Sequence, residues 1–408
     1  MTHRARLLAA CRGEPTDRLP WAPRLDLWYK ARSYTGTLPA ELRGLSLREI
    51  VDSLGVAYHA VVPDFQELRS PEDEADRCLG IWRLRSCLHE THLAGVERVV
   101  SRGFDCAQPR PTPSEVEGRE GDATRVSYRT PVGSVSGVFA HTEEMRRAGI
   151  TIPWVREHVF KTIADAGPLA FIFANAEVRG NEERFLEWRG WVGESGLAVG
   201  FANGAASPLH HMLHDLMSVE TFFLSLHDYP SEMMALAEAI GEWLAKVLAA
   251  AAASPAEVVF WGGNYDAAIT YPRFFEQHIL PWLRRAADEL HRNGKLLLTH
   301  TDGENSGLTR LYRESGMDVA DSVCPAPMTK LSLEEAIREL EGVTIWGGIP
   351  SVALLPELMP GREFERMLDE TLGLVKERNR FVLGIADTAP PEASWERIRR
   401  ITDRACER

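Results

Sequence analysis

The segment Leu297-Leu298-Thr299-His300-Thr301-Asp302-Gly303 holds the strongest chemical signal in this chain. An imidazole and a carboxylate two residues apart on an extended stretch project to the same side, so His300 and Asp302 can close on one metal ion or one proton. One strand–helix unit later, Asp321-Ser322-Val323-Cys324-Pro325 brings a thiol to a neighbouring strand end. Asp387, in Gly384-Ile385-Ala386-Asp387-Thr388, offers a further carboxylate after the last strand. Histidine, carboxylate and cysteine converging in this way make a zinc set with an open fourth position, drawn from His300, Asp302, Cys324 and Asp387. Each has a plainer reading: Asp before Gly is good turn chemistry, Cys before Pro is often a small buried hydrophobe, and Asp387 can charge-stabilise the helix that follows it.

Polar residues behind other strand ends are candidates to orient a substrate: Glu177, Asn203, Asn264 and Asp266, with His210 and His211 opening a helix after Pro208 from which one of the pair should face solvent. Taken singly, such residues also serve as loop polarity or helix caps. The chain has no phosphate loop of the GxxxxGK[ST] type, and no GxGxxG follows a strand.

Positioning these groups requires a scaffold that gathers strand ends. The second half of the sequence repeats a short apolar run, a Gly/Asn/Asp/Pro loop and an amphipathic stretch, the signature of βα units. Strands are predicted at Leu169–Ala174, Leu197–Ala202, Glu257–Trp261, Lys295–Thr299, Met317–Ser322, Val343–Trp346 and Arg380–Leu383, with an early one near Tyr58–Val62. Their nearly unbroken apolar character fits parallel strands covered on both faces. Helices are predicted over Tyr271–Asn293 and Ser332–Leu340, the latter opened by a Ser332/Glu335 capping box. Eight strands point to an α/β fold of the (β/α)8 TIM-barrel type, in which loops after the strands build the active site. One domain over residues 1–408 with an N-terminal arm is the simplest organisation. Residues 70–137, rich in charge, form an excursion with a hairpin pairing Arg125–Arg129 and Val135–Phe139 around Pro131-Val132-Gly133.

A net charge of −13 over 408 residues argues against nucleic acid or an anionic membrane as partner. The N-terminal apolar run is too short for a signal peptide, and Lys246 interrupts the long run at Leu244–Ala253, so no membrane span is predicted and a cytoplasmic location is expected. Six widely spaced cysteines without a CxxC pair do not read as a disulfide framework.

Several segments together resemble the uroporphyrinogen decarboxylase superfamily. Arg12-Gly13-Glu14-Pro15-Thr16-Asp17-Arg18-Leu19-Pro20 resembles its N-terminal turn, and Thr130-Pro131-Val132-Gly133 its TPxG hairpin. Glu157-His158-Val159-Phe160-Lys161 is similar to its EHxxK helix start. Tyr271-Pro272-Arg273-Phe274-Phe275 and Pro390-Pro391-Glu392-Ala393 match further along. The resemblance implies a (β/α)8 barrel and two activities, decarboxylation of tetrapyrrole acids and methyl transfer with corrinoid proteins. The arginine motif of the decarboxylases is absent around Arg24, Asp64 is a loose match to their strand-end aspartate, and Ile385 stands where their histidine would fall. In the thiol-alkylating methyltransferases the resemblance implies zinc on a His-x-Cys pair and a late Cys; here His300 is in place, with Asp302 for the first Cys. An oxygen-richer site of this kind suits an ether or alcohol oxygen better than a thiolate.

The reading is a zinc-assisted methyltransferase moving methyl from a small methoxylated or methylated substrate to a corrinoid held by a partner protein, with Asn264, Asp266, Asn203 and Glu177 orienting the substrate. One alternative is a metal-independent decarboxylase or other lyase using Arg24 to hold a carboxylate and Asp64 or His300 to handle the proton. Another is a non-catalytic corrinoid- or tetrapyrrole-binding protein.

Overall fold

The structure, a computed structural model, describes residues 1–61, 76–102, 123–150 and 152–407. Asp64, the segment Pro109–Pro113 and the Val62 end of the early strand lie outside them. Among the described residues the strands in chain order are β1 (His89–Leu93), β2 (Glu97–Arg102), β3 (Ala123–Thr130), β4 (Gly133–Ala140), β5 (Trp154–Glu157), β6 (Ala176–Gly180), β7 (Gly200–Asn203), β8 (Val258–Gly263), β9 (Leu296–His300), β10 (Val319–Val323), β11 (Thr344–Pro350) and β12 (Phe381–Ala386).

The fold is α/β around a six-stranded parallel sheet in the order β12-β11-β10-β9-β8-β7. Residues of β7, β8, β10, β11 and β12 are buried throughout, as continuous apolar runs with helices on their flanks require. Beyond the edges, backbone bonds reach two short segments. Ala22 donates to Leu383 O at 3.0 Å and Leu383 to Pro20 O at 2.8 Å, Ala57 donates to Trp21 O at 3.0 Å, and Val199 donates to Ala60 O at 3.2 Å. These are isolated bridges rather than ladders: where an early strand was predicted, Tyr58 bridges Gly196, and no closed eight-stranded barrel forms among the described residues.

Six of the seven late strands predicted from sequence form, each within a few residues of the predicted bounds. The exception is Leu169–Ala174, which lies in the helix Ala166–Ala174. A continuous apolar run is compatible with either element, and here packing against the long helix Pro230–Ala253 decides for helix. The predicted hairpin forms as β3 and β4, with Thr130 opposite Gly133 and the Thr130 hydroxyl closing the Pro131-Val132 turn onto Gly133 O at 2.7 Å. It belongs to a four-stranded antiparallel sheet, β2-β3-β4-β5. The EHxxK-like segment leaves β5 at Glu157, and helical structure begins only at Ile163. The predicted helix over Tyr271–Asn293 runs Pro272–Arg292 with one π turn at Phe275–Ile279, and the Ser332/Glu335 capping box is formed. Removing that cap with Ser332→Ala is expected to lower stability by ~1 kcal/mol in urea denaturation.

The layers meet in a common core. Trp243 on the helix Pro230–Ala253 is fully buried, packs on Phe173 and His211, and donates its indole N–H to the Thr91 hydroxyl at 3.1 Å. Beside it on β1, buried His89 bonds Ala202 O at 2.8 Å. Burial pushes the His89 imidazole down to about 4 against a weaker upward pull from the Ala202 carbonyl. With an unfolded value near 6.5, the unfolded chain takes up a proton that the native chain refuses. This contribution to stability is therefore complete above about pH 6.5 and declines as pH falls toward about 4, by on the order of 3 kcal/mol. Urea midpoints measured across that window should fall, and His89→Gln should flatten the slope.

Candidate active site

Parallel pairing brings the chemical residues of distant segments to one end of the sheet. His300 closes β9, and the β9–β10 register sets it directly beside Asp321. The result is a short buried bond, His300 Nδ1 to Asp321 Oδ2 at 2.7 Å, that fixes the ring and leaves Nε2 facing the rim. Gly263 at the end of β8 permits this placement, because a Cβ there would come within 2.8 Å of the His300 Cβ. Asp387 follows β12 and lies 3.5 Å from His300 Nε2 through Oδ1. Its neighbours are Arg24 Nη1 at 2.6 Å and the Ser322 hydroxyl at 3.4 Å. One ligand atom from each of His300, Asp302 and Asp387 lies within 4.8 Å of the others. Ser322 (φ 63°) and Asn264 (φ 56°) are the two non-glycine residues among those described with left-handed backbone, and both flank this cluster.

The electrostatics follow from this crowding. Burial opposes charge on His300, but the bond to Asp321 and the fields of Asp387, Asp321 and Asp302 outweigh it and push the imidazole up to about 9. Asp387 is held low despite burial, chiefly by Arg24 and His300. Burial raises Asp302, with Asp387 adding to the rise and His300 opposing it. Without a cation, the cluster therefore carries a protonated imidazole among carboxylates.

Three of the four proposed metal ligands come together and the fourth does not. Cys324 is buried beside Pro325, outside the group of atoms formed by His300, Asp302 and Asp387, and burial pushes its thiol up to about 12. The fields of Asp302, Asp387 and Glu304 add to that rise. Arg24, which the sequence offers as a carboxylate binder, is tied by Nε to Asp26 at 3.1 Å and by Nη1 to Asp387. Asn264 sits at the rim with its amide 3.0 Å from His214 Nε2, and its own N–H bonds His300 O. Asp266 engages the backbone N–H groups of Ala268 and Glu304 through its two oxygens, holding the loop after β8. Asn203 is buried and bonds Ala205 O at 2.8 Å. Glu177, expected behind a strand at Leu169–Ala174 that is a helix instead, lies on β6 of the small β1–β6 sheet, exposed and paired with Arg179. His210 and His211 are both buried, contrary to the expectation that one faces solvent, because Phe173, Trp243 and Tyr265 pack around them.

Asp321, which holds the His300 ring, is a residue that sequence reasoning passed over, although it stands three positions before Cys324. The only signal for it was a carboxylate inside an otherwise apolar strand, where burial demands a partner.

The donor set of one imidazole nitrogen and two carboxylates, with the Asp321 carboxylate bonded to the far side of the imidazole, is chemically suited to zinc or a similar divalent ion with open positions. No helix among the described residues is long and apolar enough to cross a membrane.

No curated protein matches the chain in sequence. A methyltransferase from Methanosarcina mazei is similar in structure, at 15% identity over 99% of this chain and 98% of that one, with a TM-score of 0.47. The sequence profile of uroporphyrinogen decarboxylase (URO-D) matches residues 193–408, which hold β7 to β12 and with them His300, Asp302, Asp321 and Asp387. Since that match takes in more than half of the chain, this protein belongs to the uroporphyrinogen decarboxylase family.

Proposed function

We propose that this protein is a methyltransferase that removes methyl from a small methoxylated or methylated substrate, with a corrinoid carried by a partner protein as acceptor and zinc held by His300, Asp302 and Asp387. The observation that carries the reading is the Asp321–His300 pair aimed at two carboxylates, an arrangement typical of a metal-bound histidine. Bound there, zinc supplies a Lewis acid for the heteroatom that loses its methyl group. Asp321 fixes the His300 ring, Arg24 and Ser322 fix Asp387, and Asn264 lines the rim where a substrate can approach. In the same reading the segments at 20–22 and 57–60 act as two short strands, completing the parallel sheet to an eight-membered (β/α)8 ring.

Elemental analysis of protein purified without a metal-affinity tag tests the proposal. Near-stoichiometric metal is expected in the wild type and in Cys324→Ala, with at least a tenfold loss in His300→Ala and Asp302→Ala. A metal-free wild type would sink the proposal.

One observation favours the second reading, a metal-independent lyase: Arg24 already occupies Asp387 and His300 is protonated beside it. That reading requires full turnover after chelation.

A further inference from the structure

Between β7 and the helix Val219–Asp228 the chain carries His210, His211, His214 and Asp215, the last two on a π turn over Met212–Leu216. Such turns often accompany functional sites, because the extra residue moves side chains out of the helical repeat. This one links a buried carboxylate to the rim of the cluster. Asp215 Oδ1 lies 3.0 Å from His214 Nδ1, and the opposite ring nitrogen, Nε2, lies 3.0 Å from the Asn264 amide nitrogen. Asn264 is exposed, has left-handed backbone (φ 56°) and donates its own N–H to His300 O at 2.9 Å. Asp215 is itself held: His211 Nδ1 stands 3.4 Å from its Oδ2, and a Cβ on Gly80 would come within 2.7 Å of its carboxyl carbon. Exposed side chains ordinarily change rotamer within nanoseconds. Here both the backbone and the amide of an exposed asparagine are fixed, beside the residue that closes β9.

The direction of that amide depends on one proton. The buried Nδ1 of His214 has the Asp215 carboxylate as its neighbour and keeps its hydrogen whether the ring is neutral or charged. In the neutral ring Nε2 is bare and accepts from the Asn264 NH₂ group. In the charged ring Nε2 becomes a donor, so the Asn264 oxygen must replace its nitrogen there, and the NH₂ group turns to the open side of the rim. Burial works against charge on His214, but the field and contact of Asp215 outweigh both burial and the opposing His300 and hold the imidazole above its ordinary value. His210, pushed down to about 3 by burial, and His211, lowered by the same cause, stay neutral beside it, and His158 meets the Asp215 backbone.

From this chain of contacts we infer that Asp215 and His214 are positioning residues that set which end of the Asn264 amide is presented to the substrate. With His214 protonated, Asn264 offers N–H donors and favours a methoxylated substrate with an acceptor oxygen over a quaternary ammonium, which can accept no hydrogen bond. That preference rests on the methyl-transfer reading above; the coupling of Asn264 to His214 does not.

Nitrogen-15 NMR of the full chain over about pH 5 to 9 tests the coupling. The Asn264 side-chain amide signals, identified by their loss in Asn264→Ala, and the His214 ring, identified by its loss in His214→Gln, are expected to titrate with one shared midpoint above the ordinary histidine value of 6.5. His214→Gln should remove the transition from the Asn264 amide. In Asp215→Asn both midpoints should fall below about 6.5, since burial and His300 then act unopposed. If that variant does not fold, the comparison of wild type with His214→Gln decides alone. An Asn264 amide that stays unchanged through the His214 transition, or shifts identically in His214→Gln, would overturn the inference. Methyl transfer to reduced cobalamin supplies the second arm. The kcat/KM for 4-methoxybenzoate should fall by about tenfold as pH rises through the shared midpoint and lose that dependence in Asn264→Ala, while tetramethylammonium shows none. Equal pH profiles for the two donors would overturn the substrate preference. No transfer from either donor by zinc-loaded wild type, with the NMR coupling intact, would uphold the positioning role and remove the methyl-transfer reading.

Discussion

On the proposed methyl-transfer reading, Asp387→Asn is expected to lower the rate by roughly 10³-fold, equivalent to about 4 kcal/mol of transition-state stabilisation, while the protein stays folded. Asp387 is the point where three elements meet: it follows β12, bonds Arg24 from the N-terminal segment and faces His300 from β9. The amide keeps the shape of the side chain but carries no charge. Two consequences follow together. The cluster loses one of its two carboxylate donors, and Arg24 loses the partner that holds its guanidinium toward the rim. Transfer from methoxylated donors to reduced cobalamin, read by the change in visible absorption, measures the first effect. Metal content of the variant separates it from simple unfolding, which circular dichroism reports independently. Activity within about threefold of wild type would remove Asp387 from the site.

The second large effect is structural. Asp76→Ala is expected to destabilise the protein by about 3–5 kcal/mol, the range for removing one partner from a buried ionic group. Asp76 is fully buried and its carboxylate receives Arg83 at 2.9 Å and Arg98 at 2.6 Å. Arg98 lies on β2 of the four-stranded sheet, and Arg83 also bonds Thr91 O on β1. The carboxylate therefore ties two sheets to one another, and its loss leaves two guanidinium groups in a poorly solvated place. Asp76→Asn should cost less than Asp76→Ala, since the amide oxygen can still accept from one arginine. Chemical denaturation of both variants checks the order; equal stability of Asp76→Ala and wild type would show that the arginines find water instead.

Much of this protein can be read from local pattern. The parallel strands β7 to β12 announce themselves as short apolar runs with turn residues after them, because a strand buried on both faces leaves little room for polar side chains. The β3–β4 hairpin is legible from Pro131-Val132-Gly133, and the helix after Ser332 from its capping box, since both depend on residues within four positions. Leu169–Ala174 was not legible, because an apolar stretch contains no period to separate strand from helix, and only its neighbour Pro230–Ala253 resolves it. The misplacement carried Glu177 with it: a residue expected at a strand end stands on an exposed edge elsewhere.

His300 and Asp302 as a pair, and Asp387 as a strand-end carboxylate, were determined by the sequence itself, through two-residue alternation and position after a strand. The tertiary structure alone decided which groups share their space. Asp321 backs His300 through the β9–β10 register, and Arg24 reaches Asp387 across 363 residues of chain. Cys324, as plausible a ligand in sequence as any, stays outside the group formed by His300, Asp302 and Asp387. Side-chain direction beyond a strand end, register between strands and the meeting of chain ends depend on how the whole sheet packs, and local spacing carries none of that information.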